Sequence, residues 1–138
     1  MSNQRLNTDR ERLLFAFQKA SGAKSDKYKA RVEKTPMLVY NNGLGNTFAF
    51  IYSNRKKAGW EELYTHIFEW LNEKFHITTG KLSEEAMAGE LIDSNKFAEV
   101  EYRAITREVL KLLEGLKRFA KDPKKKPVKE TAEKTSQP

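Results

Sequence analysis

Between Trp60 and Phe75 the large apolar side chains return every three or four residues, a spacing that only a helix gathers onto one side. At about 100° per residue, Trp60, Leu63, Tyr64, Ile67, Phe68, Trp70 and Leu71 share one broad face. Glu62, Thr65, His66, Glu69 and Glu73 share the other. The same period runs through most of the chain, and the alternation of a half-buried strand is scarce. The fold class predicted is therefore all-α, a compact bundle of about six helices.

The first helix is expected from about Thr8 to Ser21, with Thr8 as cap, Glu11 closing a capping box and Gly22 as stop. Leu13, Phe17 and Ala20 would form its shared apolar face. The second begins near Ser25 or Asp26 and aligns Tyr28, Val32 and Val39; a kink or break is expected at Pro36, then one more turn to Asn42. The third runs from about Gly43 to Arg55 with Leu44, Phe48 and Ile51 in register. The fourth is the Trp60–Phe75 segment. Ser83 would cap a short fifth helix reaching Leu91 or Ile92. Ser94 would cap a long sixth, to about Lys121, with Tyr102, Ile105, Val109, Leu113, Leu116 and Ala120 in period. Pro123 stops it. Residues 1–122 read as a single helical domain. Residues 123–138 hold one apolar side chain larger than alanine, Val128, and read as a disordered basic tail.

Charge divides the chain into three parts. Residues 1–57 carry 12 basic and 4 acidic side chains, residues 58–116 carry 6 and 12, and residues 117–138 carry 8 and 3. A basic part, an acidic part and a basic tail suit two kinds of neighbour, a polyanion and a basic protein surface. The absence of cysteine excludes disulfides and thiolate metal sites. No apolar run approaches the roughly 20 residues of a membrane span, and the N-terminus lacks the apolar core of a signal peptide. A soluble, cytoplasmic protein without membrane contact is expected.

Nothing in the sequence assembles a catalytic set. His66 shares a face with Glu62, Glu69 and Glu73, a spacing open to a hard metal. A carboxylate bundle site needs matching ligands from other helices, however, and His76 points about 80° away. A solvated acidic face is expected there, with no metal and no cofactor. Gly43-Leu44-Gly45 lacks the spacing and the preceding strand of a phosphate loop.

The basic residues lie in rows. Arg5, Arg12 and Lys19 repeat every seven positions on the first helix. Lys24, Lys27, Arg31 and Lys34 stripe the second. Arg55, Lys56 and Lys57 crowd the end of the third. Arg103, Arg107, Lys111 and Arg118 lie along the sixth and lead into Lys121. Such rows suit phosphate contact without base readout, so Lys19, Lys24, Lys27, Arg31, Lys34, Arg55, Lys56, Lys57, Arg103, Arg107, Lys111 and Arg118 are the candidate nucleic-acid-binding residues. Phe15 falls on the polar side of the first helix and is the candidate protein contact.

Two segments carry a family resemblance. Thr35-Pro36-Met37-Leu38-Val39-Tyr40-Asn41-Asn42-Gly43-Leu44-Gly45-Asn46-Thr47-Phe48-Ala49-Phe50 resembles a Pro-x-x-Ile-x-x-Asn-Gly-Leu-Gly-x-x-Leu-Ala-Phe stretch. Tyr102-Arg103-Ala104-Ile105-Thr106-Arg107-Glu108, continuing to Leu116-Lys117-Arg118-Phe119-Ala120, resembles a Tyr-Arg-x-x-Thr-x-Glu…Leu-Lys-x-Phe-Ala helix. Both belong to the small subunit of type III-B CRISPR (Cmr) RNA-guided complexes, and the resemblance spans about Asp9 to Asp122. Gly115 stands where that family often has a large aromatic. The resemblance implies a non-catalytic subunit of an antiviral ribonucleoprotein. Its copies stack on one another beside a filament of backbone subunits and line the groove that holds CRISPR RNA and target RNA. The alternative is a helical protein–protein adaptor without nucleic-acid contact.

Overall fold

The periodic segments fold as helices. The computed structural model describes residues 2–74, 87–93 and 98–123, and among these there is no strand. The elements are α1 (Ser2–Gly22), α2 (Tyr28–Asn42), α3 (Leu44–Ser53), α4 (Trp60–Lys74), α5 (Met87–Ile92) and α6 (Glu99–Phe119). The expected Ser83 and Ser94 caps and the tail from residue 124 onward lie outside the described residues. Among the described residues no helix is long and apolar enough to cross a membrane.

α6 is the spine, with α1 and α2 packed along it and α4 touching it; α3 fills the space between α2, α4 and α5. The stripes expected of α2, α3, α4 and α6 form the core. Val32, Leu44, Phe48, Ile51, Leu63, Ile67, Leu71, Val109, Leu113 and Leu116 are wholly buried. Burying each such side chain contributes about 1.5–3 kcal/mol before the cost of ordering the chain.

The two segments that carry the resemblance touch each other. Gly43 adopts φ +82 between α2 and α3, a backbone state open to glycine at little cost. Its N–H closes α2 on the Val39 carbonyl at 2.9 Å, and its own carbonyl accepts from Thr47 Oγ1 at 2.8 Å. The Gly45 N–H then donates to the Tyr102 hydroxyl on α6 at 2.8 Å. A buried backbone donor at the start of α3 is thereby satisfied by a side chain 57 residues away.

Four expectations about helix ends and continuity are corrected. α1 starts at Ser2, so Thr8 lies inside the helix and caps nothing. α2 starts at Tyr28 and runs through Pro36 without a break. The proline forfeits one ladder bond, yet buried Val32, Thr35 and Val39 hold the helix on both sides of it. α6 starts at Glu99; Glu101 Oε1 accepts from the Ala98 N–H at 3.0 Å, which is half a capping box, since alanine has no side-chain acceptor to complete it.

The largest correction concerns the face of α1. Leu13 and Phe17 are about half exposed, whereas Arg12, Ala16 and Ala20 are buried. Phe15, read as an exposed protein contact, turns inward and sets its ring 5.0 Å from that of Trp70. The cause is the width of the α1–α6 gap. A Cβ on Gly115 would stand only 2.9 Å from the Ala16 Cβ, so small residues occupy the line of closest approach. Phe15 fits beside that line.

Arg12, placed by its seven-residue spacing on a basic flank, is instead sealed between helices. Its Nη2 donates to Glu108 Oε1 at 2.9 Å, its Nε to Glu108 Oε2, and its Nη1 to Asp9 Oδ1 at 2.8 Å. Trp70 Nε1 donates to the same Glu108 Oε2 at 2.7 Å. Burial opposes the guanidinium charge, but the two carboxylates outweigh it and hold Arg12 more firmly protonated than usual. α1, α4 and α6 are thus joined by one carboxylate.

Candidate nucleic-acid interface

Between the end of α1 and the start of α2 the chain turns sharply, and α4 supplies the partner for that turn. Glu62 accepts from the backbone N–H groups of Lys24 at 2.9 Å and Ser25 at 3.1 Å. Ser25 Oγ accepts from the Lys27 N–H at 3.1 Å. The polar face of α4 is therefore not a solvated acidic face at this end. His66 is also engaged, since the Tyr28 hydroxyl lies 2.7 Å from its Nδ1, and Glu69 pairs with Lys19 at 3.0 Å. Among the described residues no group of three His, Asp or Glu side chains is arranged to hold a metal.

Burial holds His66 below the ordinary histidine value; Glu69 and Glu62 raise it and Lys19 lowers it, and burial prevails. In the tautomer that carries its proton on Nε2, the neutral ring accepts the hydroxyl hydrogen of Tyr28 at Nδ1. Because the folded pKa is depressed, the unfolded chain takes up the proton first on acidification. The contribution of His66 is complete above about pH 6.5, the unfolded value, and declines as the pH falls from there toward the folded pKa. The urea midpoint is expected to drop between pH 7.5 and pH 5.5. In His66→Gln it should drop less, and equal drops would exclude this account.

The loop after α3 is pressed onto α2. Gly59 adopts φ +88, and a Cβ there would meet Arg31 Cγ at 2.8 Å and the Lys27 carbonyl carbon at 3.0 Å. Arg31 Nε donates to the Ala58 carbonyl at 3.0 Å, and its guanidinium lies 5.1 Å from the Trp60 ring centre. Arg55 Nη1 donates to the Tyr52 carbonyl at 2.9 Å, with the guanidinium 3.9 Å from the Tyr52 ring centre. Both arginines thus have structural work in fixing the loop. Between them Lys56 and Lys57 project into solvent.

This folding gathers lysines from three separate segments. A groove of about 670 Å³ is lined by Lys24 from the α1–α2 turn, Lys56 and Lys57 from the α3–α4 loop, and Lys121 beyond α6. Of the acidic residues on its wall, Glu62 is held by the turn and Asp122 pairs with Lys29 at 2.6 Å. Asp26 and Glu61 complete the acidic part. Lys27 stands exposed at the N-terminal end of α2, and Lys34 lies two turns further along that helix.

The remaining candidates lie elsewhere. Lys19 is tied to Glu69. Arg103 is exposed and pairs with Glu99 at 3.1 Å. Lys111 and Arg118 border a different recess, of about 300 Å³, shared with Asp9, Arg12 and Glu114. Arg107 is exposed on α6. Of the cations marked by row spacing, Lys24, Lys56 and Lys57 line this groove, and Lys121 joins them only through the tertiary arrangement. Gly59 and Glu62, which position these lysines, carry no basic signal.

A third surface is apolar. Leu13, Leu14 and Phe17, each about half exposed, border a groove of about 550 Å³ with Asn7, Arg10, Glu11 and Phe119.

Comparison with known proteins finds that residues 8–122 match the family model described as CRISPR-associated protein (Cas_Cmr5). No solved structure matches the chain.

Proposed function

The chain belongs to the Cas_Cmr5 family of CRISPR-associated proteins, and from this premise we propose a non-catalytic subunit of the Cmr complex that holds RNA phosphates in its lysine groove. The carrying observation is the convergence of Lys24, Lys56, Lys57 and Lys121 on one groove. Ammonium groups on independent segments track a phosphate backbone without reading bases. Within the complex, copies of the subunit stack beside the backbone subunits and line the channel for CRISPR RNA and target RNA. The exposed face of α1 is available for a protein neighbour, and head-to-tail stacking needs two unlike patches on one molecule. Cytoplasmic antiviral defence is the setting that this reading implies.

The test is the triple variant Lys24→Glu, Lys56→Glu, Lys57→Glu, titrated with labelled RNA at several salt concentrations. Affinity at low salt should fall by at least about tenfold. The slope of log affinity against log salt should flatten by about two to three, since each lost phosphate contact removes about 0.7–0.9. An unchanged slope and affinity, with the helical signal intact, would sink the groove and favour the adaptor reading.

A further inference from the structure

Beyond the groove a chain of aromatic rings and cations continues along α2 and α3. From the groove wall at Ala58, Arg31 reaches back to lie over Trp60. The Trp60 ring meets Phe50 edge to face at 5.5 Å and 88°, and Lys34 Nζ stands 5.9 Å from the Phe50 ring centre. Trp60 is buried, but Phe50 keeps 39% of its surface exposed. The T-shaped contact with Trp60 fixes the orientation of the Phe50 ring, and among the described residues no other ring stacks parallel on it.

An exposed aromatic on a helix is an ordinary finding, and four features narrow what this one suits. It adjoins a basic stripe, in the part of the chain where cations outnumber acids three to one. It continues the proposed phosphate track through direct contacts. Its orientation is held by Trp60. The ammonium beside it is exposed and has no ion pair among the described residues. Phosphate-only contact to a duplex has no use for a fixed ring, whereas single-stranded RNA combines a cationic track with aromatic faces on which unpaired bases stack.

We propose that Phe50 is a stacking platform for an unpaired RNA base, with Lys34 contacting the adjoining phosphate. The proposal rests on the RNA reading of the groove and specifies the form of RNA: a strand that leaves the groove with bases exposed. Tyr40, with 71% of its surface exposed, lies about 120° around α2 from Lys34 and takes no part.

The experiment uses the full chain and three probes with equal numbers of phosphates per strand: a 12-nucleotide single-stranded RNA of mixed sequence, its abasic counterpart and the 12-base-pair duplex. Phe50→Ala should weaken binding of the base-bearing single strand by about tenfold and leave the other two unchanged. Phe50→Trp should restore it, and Tyr40→Ala should bind like the unaltered protein. Equal affinity of Phe50→Ala and the unaltered protein for the base-bearing strand overturns the proposal. So does equal weakening on the abasic strand, or a matching loss in Tyr40→Ala. Lost self-association in Phe50→Ala with intact RNA affinity would make this surface a protein contact and overturn it too. The lysine triple variant separates the two readings, since it should weaken all three probes. If it weakens none while Phe50→Ala behaves as expected, the groove fails and the platform stands.

Discussion

Glu108→Ala is expected to destabilise the fold by about 3–5 kcal/mol, the cost of removing one partner from a buried ion pair. The alanine would leave the Arg12 guanidinium, 9% exposed, with Asp9 alone, and would strand the Trp70 indole N–H in the same step. Leaving each buried group without its partner adds its own desolvation penalty. The thermal midpoint should fall by about 10 °C or more. Glu108→Gln keeps an acceptor for Trp70 while losing the charge, so its cost should be smaller. Arg12→Met combined with Glu108→Leu should be less damaging than Glu108→Ala, because an apolar pair of similar volume replaces the ions without stranding a charge. Chemical unfolding of the three variants beside the unaltered chain would decide it. A Glu108→Ala variant within about 0.5 kcal/mol of the unaltered chain would refute the clamp.

The second large effect is expected at Gly115. Gly115→Leu should cost about 3 kcal/mol or more, because α1 and α6 are already separated by no more than an Ala16 methyl and overpacking forces the helices apart. Gly115→Ala brings two opposed effects. Alanine gains about 1 kcal/mol over glycine inside a helix, but its Cβ at 2.9 Å from the Ala16 Cβ meets a rigid neighbour. The clash, about 1–3 kcal/mol, should win, giving a net loss of about 1 kcal/mol. Adding Ala16→Gly removes the clash and exchanges one helical glycine for another, so the double variant should return close to the unaltered stability. A coupling of zero in that cycle would mean that the two positions do not meet.

These two sites show where sequence reading succeeds and where it runs out. The α4 and α6 stripes are one-sided, and their buried residues agree with the spacing from Trp60 to Leu71 and from Ile105 to Leu116. α1 is apolar on two flanks, with Leu13 and Phe17 on one, Ala16 and Phe15 on the other, and Ala20 between them. Hydrophobicity favours burying the larger set, and spacing alone cannot weigh against that the narrow approach that Gly115 permits. Arg12 was misplaced for the same reason. A seven-residue repeat of cations reads as a surface row, and nothing local reveals that Glu108, 96 residues later, neutralises the middle member in the interior.

The lysine groove divides along the same line. Lys56 and Lys57 are conspicuous as a run, and Lys24 begins a stripe. Their meeting with Lys121 depends on Glu62 holding the Lys24–Ser25 turn and on Gly59 letting the loop lie against α2. An acid and a glycine are what assemble a basic site here.

By itself, the sequence determined the helical class, the order of the elements and the cores of α2, α3, α4 and α6. Periodicity is set by 3.6 residues per turn and is complete within each segment. Only the tertiary structure decided which side of α1 faces inward, which cations are neutralised and which lysines share a groove. Those outcomes turn on the fit of side chains tens of residues apart, where a missing methyl or one shared carboxylate outweighs the local pattern.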